Sequence, residues 1–275
     1  MTHKIALVTG ANGGIGQAVA SELAGMGITV VLVCRDEKRG EEAKANIQAL
    51  HPKANLDLMI ADLSSQQSIR DLANRFMGKY PHLDILINNA AVHKSKHTLT
   101  VDGLETMFAT NHLGYFLLTL LLMDKLKASD GARVLNVTAP STSQLDFDDL
   151  QGEKQFNPLV RFGMSKMANL LFTFALAQKL ANTSISVYAI HPGLVKSGIL
   201  REANIVIRTI SRAISKTPEY AAKGIVQVAT SPEFSGKTGG FFTYGKPIKA
   251  PDYAQDTTIQ QRLWDISLKL TNTTF

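Results

Sequence analysis

Residues 5–20 read IALVTGANGGIGQAVA, and this stretch decides the fold. The run Ile5–Thr9 is apolar without alternation, which predicts a strand buried on both faces. A glycine-rich turn follows it, and then a helical pattern over 14–26. Glycines let the backbone turn tightly and approach a pyrophosphate at the N-terminus of the next helix. The stretch therefore predicts the first strand–helix unit of a dinucleotide-binding sheet.

The same alternation continues to the C-terminal part of the chain. The predicted strands are Ile5–Thr9, Thr29–Val33, Leu56–Ile60, Ile85–Ile87, Arg133–Val137, Ser186–Ile190 and Gly240–Tyr244. The predicted helices cover 14–26, 36–50, 65–79, 102–127, 160–181 and 218–230. This order predicts an α/β fold, a doubly wound parallel sheet (Rossmann-like), as a single domain over 1–275. We expect a dinucleotide-binding part over about 1–137 and a catalytic, lid and C-terminal part over about 138–275.

Composition narrows the functional class. Apolar residues make up 45% and charged residues 19%, enough for a large buried core. The net charge of +6 comes from scattered basic residues, with no aromatic-and-basic module for nucleic acid, so we expect no nucleic-acid partner. We also expect no metal site. The single cysteine, Cys34, fits a reducing compartment, and we expect a cytoplasmic protein.

The end of the second strand indicates the cofactor. NAD-selective proteins place an acid there to bind the adenosine ribose, whereas this chain has Arg35. A guanidinium suits a 2′-phosphate through paired, charge-assisted hydrogen bonds, so NADP(H) is favoured over NAD(H). Asp36 follows and is placed to cap the next helix.

Several motifs resemble those of the short-chain dehydrogenase/reductase family. They are the TGANGGIG turn at 9–16, Asp62-Leu63, NNAA at 88–91, TNHLG at 110–114 and HPG at 191–193. Three more, DDLQGEK at 148–154, SKMANLLF at 165–172 and RLWD at 262–265, resemble the retinol-dehydrogenase-like branch. The resemblance implies an oxidoreductase for a small lipophilic substrate, and a homo-oligomer is one possible assembly.

The resemblance also implies a cofactor-binding set and a catalytic set. The cofactor positions are Gly10, Asn12, Gly14, Ile15, Gly16, Arg35, Asp62, Leu63, Asn89, Ala90, Lys166, Pro192, Gly193 and Ser197. In the family, a serine and a tyrosine bind and protonate the substrate oxygen, while a lysine four residues after the tyrosine lowers its pKa. An asparagine, here Asn111, supports a water chain to that lysine.

Two of the four catalytic positions lack hydroxyl groups in this chain. The spacing back from Lys166 places Phe162 at the tyrosine position, and Ala139 stands at the serine position. Phenylalanine moves no proton and alanine binds no oxyanion, so ordinary carbonyl reduction should be impaired. Either natural divergence or deliberate inactivation accounts for the pair.

Other side chains are candidates to replace the missing groups. They are His93, Tyr115, Thr138, Ser141 and Ser143. Four of them also have a purely structural interpretation: His93 as an exposed residue, Tyr115 as packing, and the two serines as turn formers. Tyr115 follows Asn111 by four residues, which in a regular helix places the two on one face.

The region after the sixth strand is expected to cover the substrate. Apolar residues and the basic stripe Arg208, Arg212 and Lys216 make segment 203–216 amphipathic. A lid over an apolar cleft is the favoured role, and membrane contact is the alternative. The sequence therefore favours an NADP(H)-dependent oxidoreductase with an atypical site. The alternatives are a non-redox enzyme (isomerase- or cyclase-like), a cofactor-binding module without turnover, or an engineered inactive variant.

Overall fold

The computed structural model describes residues 3–141, 143–195 and 216–275. Its strands are β1 (Ile5–Thr9), β2 (Thr29–Cys34), β3 (Leu56–Ile60), β4 (Ile85–Asn88), β5 (Arg133–Val137), β6 (Ser186–His191), β7 (Gly240–Thr243) and β8 (Lys246–Pro247). Its α-helices are α1 (Gly14–Gly25), α2 (Glu37–Leu50), α3 (Gln66–Lys79), α4 (Thr106–Phe108), α5 (Gly114–Leu121), α6 (Met123–Lys127), α7 (Pro158–Lys179), α8 (Pro218–Thr230), α9 (Asp252–Gln255) and α10 (Thr257–Thr271).

The strands form one sheet in the order β3-β2-β1-β4-β5-β6-β7-β8. All neighbours pair in parallel except β8, which runs antiparallel to β7 at the edge. The order reverses direction between β1 and β4, and this is the place where doubly wound sheets bind ligands. The predicted fold class is confirmed.

Helices cover both faces of the sheet. On one face, α3, α5, α7 and α10 bury a cluster that includes Phe76, Phe116, Phe172 and Trp264. On the other face, α1 and α8 pack against the alternate strand residues. Strand β1 is buried at every position, as its unbroken apolar pattern predicts.

Local capping sets where the helices begin. Asp36 caps α2 by accepting a hydrogen bond from the Arg39 amide at 2.8 Å, which confirms its structural role. Asn157 caps α7, whose first residue is a proline, a residue suited to that position. These caps fix the start of α7, the helix that carries Phe162 and Lys166.

The sequence prediction was wrong in two regions. The predicted helix 102–127 begins only at Thr106 and is interrupted by a π-helical turn at Ala109–Leu113. Glu105 stops the helix from starting earlier, because its carboxylate accepts hydrogen bonds from two backbone amides of α4. Elements β8, α9 and α10 were not predicted.

Candidate active site

The glycine-rich turn after β1 is tightly packed on one side and open on the other. Gly10 has a φ of +66°, and a Cβ there would lie 2.9 Å from the Ala90 Cα. A Cβ on Gly16 would collide with the Gly10 carbonyl and with the Asn89 amide. Gly14 has a φ of +53°, and a Cβ there would meet no other atom within 4 Å. Only glycines allow this turn.

The open side of the turn suits a phosphate group. Gly13 occupies the N-cap position of α1 and provides no side-chain hydrogen bond to the first-turn amides. Those N–H groups and the positive end of the helix dipole are therefore available to an anion. The Arg39 guanidinium lies 3.7 Å from the place that a Cβ on Gly13 would take, which adds a cation nearby. The predicted positions Asn12 and Ile15 belong to the same turn, and the whole turn fits a pyrophosphate.

The neighbouring strand ends complete this edge of the sheet. Asn89 fastens the β4 end to β1 by donating to the Thr9 carbonyl at 2.9 Å. Asp62 accepts hydrogen bonds from the Ser64 amide and hydroxyl at 2.9 and 2.7 Å, which fixes its loop beside Leu63. Arg35 is exposed at the end of β2.

The π-helical turn positions Asn111. Its side-chain oxygen accepts from the Val92 amide at 2.8 Å, and its side-chain nitrogen donates to the Val92 carbonyl at 3.0 Å. The same nitrogen donates to the Ser165 hydroxyl at 3.0 Å. The Asn169 side chain donates to the Asn111 carbonyl at 2.9 Å. Asn111 thus joins the loop after β4 to α7.

Lys166 is buried at the carboxyl end of β5. Its Nζ donates to the Val137 carbonyl at 3.3 Å and lies 5.5 Å from the centroid of the Phe162 ring and 6.0 Å from that of Tyr115. Burial lowers the pKa of this amine to about 8, because no compensating charge offsets the loss of water. The Thr138 hydroxyl donates to the Lys166 carbonyl at 2.6 Å and is engaged in holding the helix.

The structure brings His93 to Phe162. Their ring centroids are 5.7 Å apart, with the planes inclined by 58°. His93 is only 7% exposed, so the interpretation of this histidine as an exposed residue was wrong. It is buried because Asn111 holds the preceding residue, Val92, against α7. The feature of the sequence that indicated its position is that His93 directly follows Val92 in the loop after β4.

The loop after Ala139 packs on α7 beside Phe162. The Ser143 amide donates to the Ser141 hydroxyl at 3.1 Å, which agrees with the turn-forming interpretation of these serines. A Cβ on Gly163 would lie 3.0 Å from the Ser141 hydroxyl and closer still to that of Ser143. Gly163 therefore lets both hydroxyls approach the helix, and Ala139 is partly exposed at the start of the loop.

Tyr115 belongs to the core as well as to the site. It is fully buried, and its hydroxyl has no hydrogen-bond partner among the residues that the structure describes. Burial raises the pKa of this phenol far above its ordinary value, so it holds its proton tightly. The expected shared face with Asn111 assumed a regular helix, whereas the π-helical turn separates the two.

Tyr244, which follows β7 and packs against the loop after β6, is a site residue that the sequence did not indicate. Gly193, next to Pro192, has a φ of +76°, and a Cβ there would collide with the Tyr244 hydroxyl. Tyr244 has a φ of 48° because it and Gly245 form the tight turn between β7 and β8. The available signal was the Tyr-Gly pair at the end of the predicted strand Gly240–Tyr244, which in the structure ends at Thr243. Ser197 and most of segment 203–216, up to residue 215, lie outside the described residues.

A buried ion pair anchors the loop before α7 and was also missed. One Arg161 nitrogen contacts the Asp149 carboxylate at 2.5 Å and donates to the Gln155 carbonyl at 2.7 Å. Burial opposes the charge of Asp149, but hydrogen bonds from the Lys154 amide, from Arg161 and from the Gln155 amide hold its pKa below the usual range. This loop is thereby fixed one residue away from Phe162.

The described residues form neither a metal site nor a membrane span. Within residues 3–141, 143–195 and 216–275, no group of three or more His, Cys, Asp or Glu side chains is arranged to hold a metal ion. In the same part of the chain, none of the helices has the length and apolar character needed to cross a bilayer.

Comparison with known proteins gives consistent matches. A family described as short chain dehydrogenase matches residues 4–205. Retinol dehydrogenase 12 of Mus musculus is 38% identical over 271 residues, which covers 97% of this chain and 86% of the relative. Retinol dehydrogenase 14 of Homo sapiens is 35% identical over 288 residues, with the same coverage of 97% and 86%.

Solved structures share the fold. A crystal structure from Mycobacterium paratuberculosis superposes with a TM-score of 0.79 at 30% identity, covering 99% of this chain and 94% of that one. A short chain dehydrogenase from Burkholderia cenocepacia in complex with NADP gives a TM-score of 0.71 at 23% identity, covering 87% and 95%. The second likeness is evidence for the fold alone.

Proposed function

The chain belongs to the short-chain dehydrogenase/reductase family, and from that premise we propose that it binds NADP(H) and acts on a lipophilic alcohol or carbonyl compound through an atypical site. The curated relatives are named as retinol dehydrogenases, which supports a lipophilic substrate. The two aromatic rings near the Lys166 amine support it too, since they favour an apolar ligand.

The cofactor assignment rests on the first turn and on Arg35. The α1 N-terminus would hold the pyrophosphate, Asp62 the adenine end and Lys166 the nicotinamide ribose. Arg35 follows β2 and Arg39 lies near Gly13, so two guanidinium groups are available to a 2′-phosphate, and no acid occupies position 35. When bound, NADP(H) supplies or accepts the hydride.

The atypical character follows from positions 139 and 162. We assign Ala139 and Phe162 to the positions of the family's serine and tyrosine, because Phe162 lies one helical turn before Lys166 on α7. Without both hydroxyls, ordinary carbonyl reduction loses an acid worth about 10²–10⁴-fold and an oxyanion donor worth about 10²–10³-fold. Lys166 and Asn111 keep their places, so a binding site for substrate and cofactor is retained.

His93 is the side chain best placed to replace the missing acid. The observation that carries this choice is its buried ring, packed 5.7 Å from that of Phe162. An imidazole ring has nitrogen atoms that can both donate and accept a proton, whereas burial makes the Tyr115 phenol hold its proton. The Thr138 hydroxyl donates to the Lys166 carbonyl, and the Ser141 hydroxyl accepts from the Ser143 amide within its turn. His93 therefore protonates the substrate oxygen, and Lys166 positions the cofactor.

Single-turnover reduction of hydrocinnamaldehyde and of retinal tests this role. In the presence of saturating NADPH, we expect His93→Ala to lose about 10²-fold or more of the rate, as removal of a general acid does. The matched control is Tyr115→Phe, which removes only a phenolic hydroxyl and should change the rate less than about threefold, by the same reasoning. Equal effects of the two variants would contradict the proposal, as would an unchanged rate in His93→Ala.

A further inference from the structure

The Lys166 amine has an unusual environment for a lysine. It is 5% exposed, between the rings of Phe162 and Tyr115, and its hydrogen bond to protein is to the Val137 carbonyl. Across residues 3–141, 143–195 and 216–275, no carboxylate forms an ion pair with it. An amine with apolar neighbours and no counter-charge is neutral more often than an exposed lysine.

The neutral form is the nucleophilic one. Burial lowers the pKa of Lys166 to about 8. At pH 7.5 about a quarter of such amines are neutral, against roughly 0.1% of amines at the ordinary lysine value. Desolvation in an apolar pocket is a known way to activate a lysine toward carbonyl groups.

The surroundings also select the carbonyl compound. Phe162, whose ring centroid lies 5.5 Å from the amine nitrogen, is partly exposed, so this side of the amine presents an apolar surface to a ligand. The Phe162 ring carries no hydroxyl to hold a carbonyl oxygen away from the amine. A lipophilic aldehyde that packs on this ring therefore brings its carbonyl group toward the nitrogen.

We propose that Lys166, in the cofactor-free protein, captures lipophilic aldehydes as a reversible imine. The amine nitrogen forms a bond to the carbonyl carbon, and the carbon–oxygen double bond is replaced by a carbon–nitrogen double bond. The carbonyl oxygen leaves as water with the two protons of the neutral amine, so no oxidant or reductant is consumed. The choice of aldehyde rests on the proposed function, whereas the capture itself needs no cofactor.

Reductive trapping tests the proposal on the full chain. The cofactor-free protein is incubated at pH 7.5 with hydrocinnamaldehyde and sodium cyanoborohydride, and modified lysines are mapped by peptide mass spectrometry. Lys179 is an internal control, because it lies on the same helix with its side chain exposed. We expect early modification of Lys166 to exceed that of Lys179 by about tenfold or more, because desolvation beside apolar rings activates the Lys166 amine toward carbonyl groups.

Two further arms make the result specific. Saturating NADP⁺ should suppress modification at Lys166 while leaving Lys179 unchanged, because the cofactor covers the site end of α7. Lys166→Arg, verified as folded by circular dichroism, should show no modification at position 166 and unchanged modification at Lys179. The mapping in the wild-type chain does not depend on that variant.

The outcomes separate this inference from the proposed function. Modification of Lys166 at or below the level of Lys179 overturns the inference, even if NADP⁺ binds in a separate calorimetric titration. Selective modification of Lys166 in a chain that binds no NADP⁺ supports imine capture and overturns the proposed cofactor. Modification that persists undiminished in a chain saturated with NADP⁺ overturns the placement of the imine beside the cofactor site.

Discussion

Restoring two hydroxyl groups should turn this chain into an efficient carbonyl reductase. The perturbation is Phe162→Tyr combined with Ala139→Ser. Both positions are partly exposed, so neither new hydroxyl is forced into the core without a partner. The introduced phenol lies on α7 one turn before Lys166, the spacing at which side chains of a helix meet.

The magnitude follows from the position of the lysine. Its Nζ lies 5.5 Å from the Phe162 ring centroid. At an effective dielectric constant of about 20, a positive charge at that distance stabilises a phenolate by about 3 kcal/mol, or roughly a hundredfold in its ionisation. The double variant gains both a proton donor and an oxyanion donor, so we expect its rate of carbonyl reduction to exceed the wild-type rate by about 10³-fold or more.

The assay is single-turnover oxidation of NADPH, followed by absorbance, with a panel of lipophilic aldehydes and ketones. Phe174→Tyr is the matched control, since it adds a phenol to a partly buried position of the same helix away from Lys166. It should leave the rate unchanged. A folded double variant that binds NADPH but gains nothing on the whole panel would refute the reasoning and show that the pocket itself has diverged.

Three further outcomes are expected. Arg35→Ala should remove a preference for NADPH over NADH of about tenfold, or 1.4 kcal/mol, in titration calorimetry, and equal wild-type affinities would contradict the assignment. Gly16→Ala should weaken NADPH binding by more than about tenfold, because its Cβ collides with the Gly10 carbonyl, while Gly78→Ala, with open space around the added Cβ, should not. The pKa of Lys166 is about 8 in the folded chain and higher in the unfolded chain, so the unfolded chain binds this proton more tightly. The free energy of unfolding should therefore rise as the pH increases from 8 toward the pKa of Lys166 in the unfolded chain. In chemical denaturation, the free energy of unfolding of Lys166→Met should rise with pH by about 3 kcal/mol less than that of the wild type. Parallel pH profiles of variant and wild type would rule out the buried ammonium as the cause of the rise.

The parallel sheet was predictable because its strands carry an unbroken apolar pattern. Strands β1, β3 and β5 match their predicted bounds, and β2, β4, β6 and β7 differ by one residue at one end. The last helix, α10, was hidden because its buried face includes Gln260, Ser267 and Thr271 beside Leu263 and Trp264. Those polar side chains bond to neighbouring carbonyl groups, and such pairing is not visible in a hydrophobic pattern.

The site residues that belong to a sequence motif could be predicted, whereas those defined by contacts between distant parts of the chain could not. The positions of Phe162 and Lys166 follow from spacing alone. The contact of His93 with Phe162 depends on the π-helical turn and on the Asn111 bonds to Val92, neither of which leaves a sequence period. The partnership of Arg161 with Asp149 joins a helix to a loop and is set by three-dimensional packing.

Because of the π-helical turn at Ala109–Leu113, the number of residues between α4 and α5 determines which way their side chains face. An extra residue in one turn shifts the helical phase, so every side chain of α5 faces a direction that a regular helix would not give it. Deleting a single residue there would still leave a good helix. The deletion would rotate either Asn111 away from Val92 or the apolar face of α5 away from the core. The reason is that the π-helical turn fixes the orientation of Asn111 relative to the helix that follows it. The chain can thus tolerate many substitutions around Asn111 more easily than one change in the number of residues.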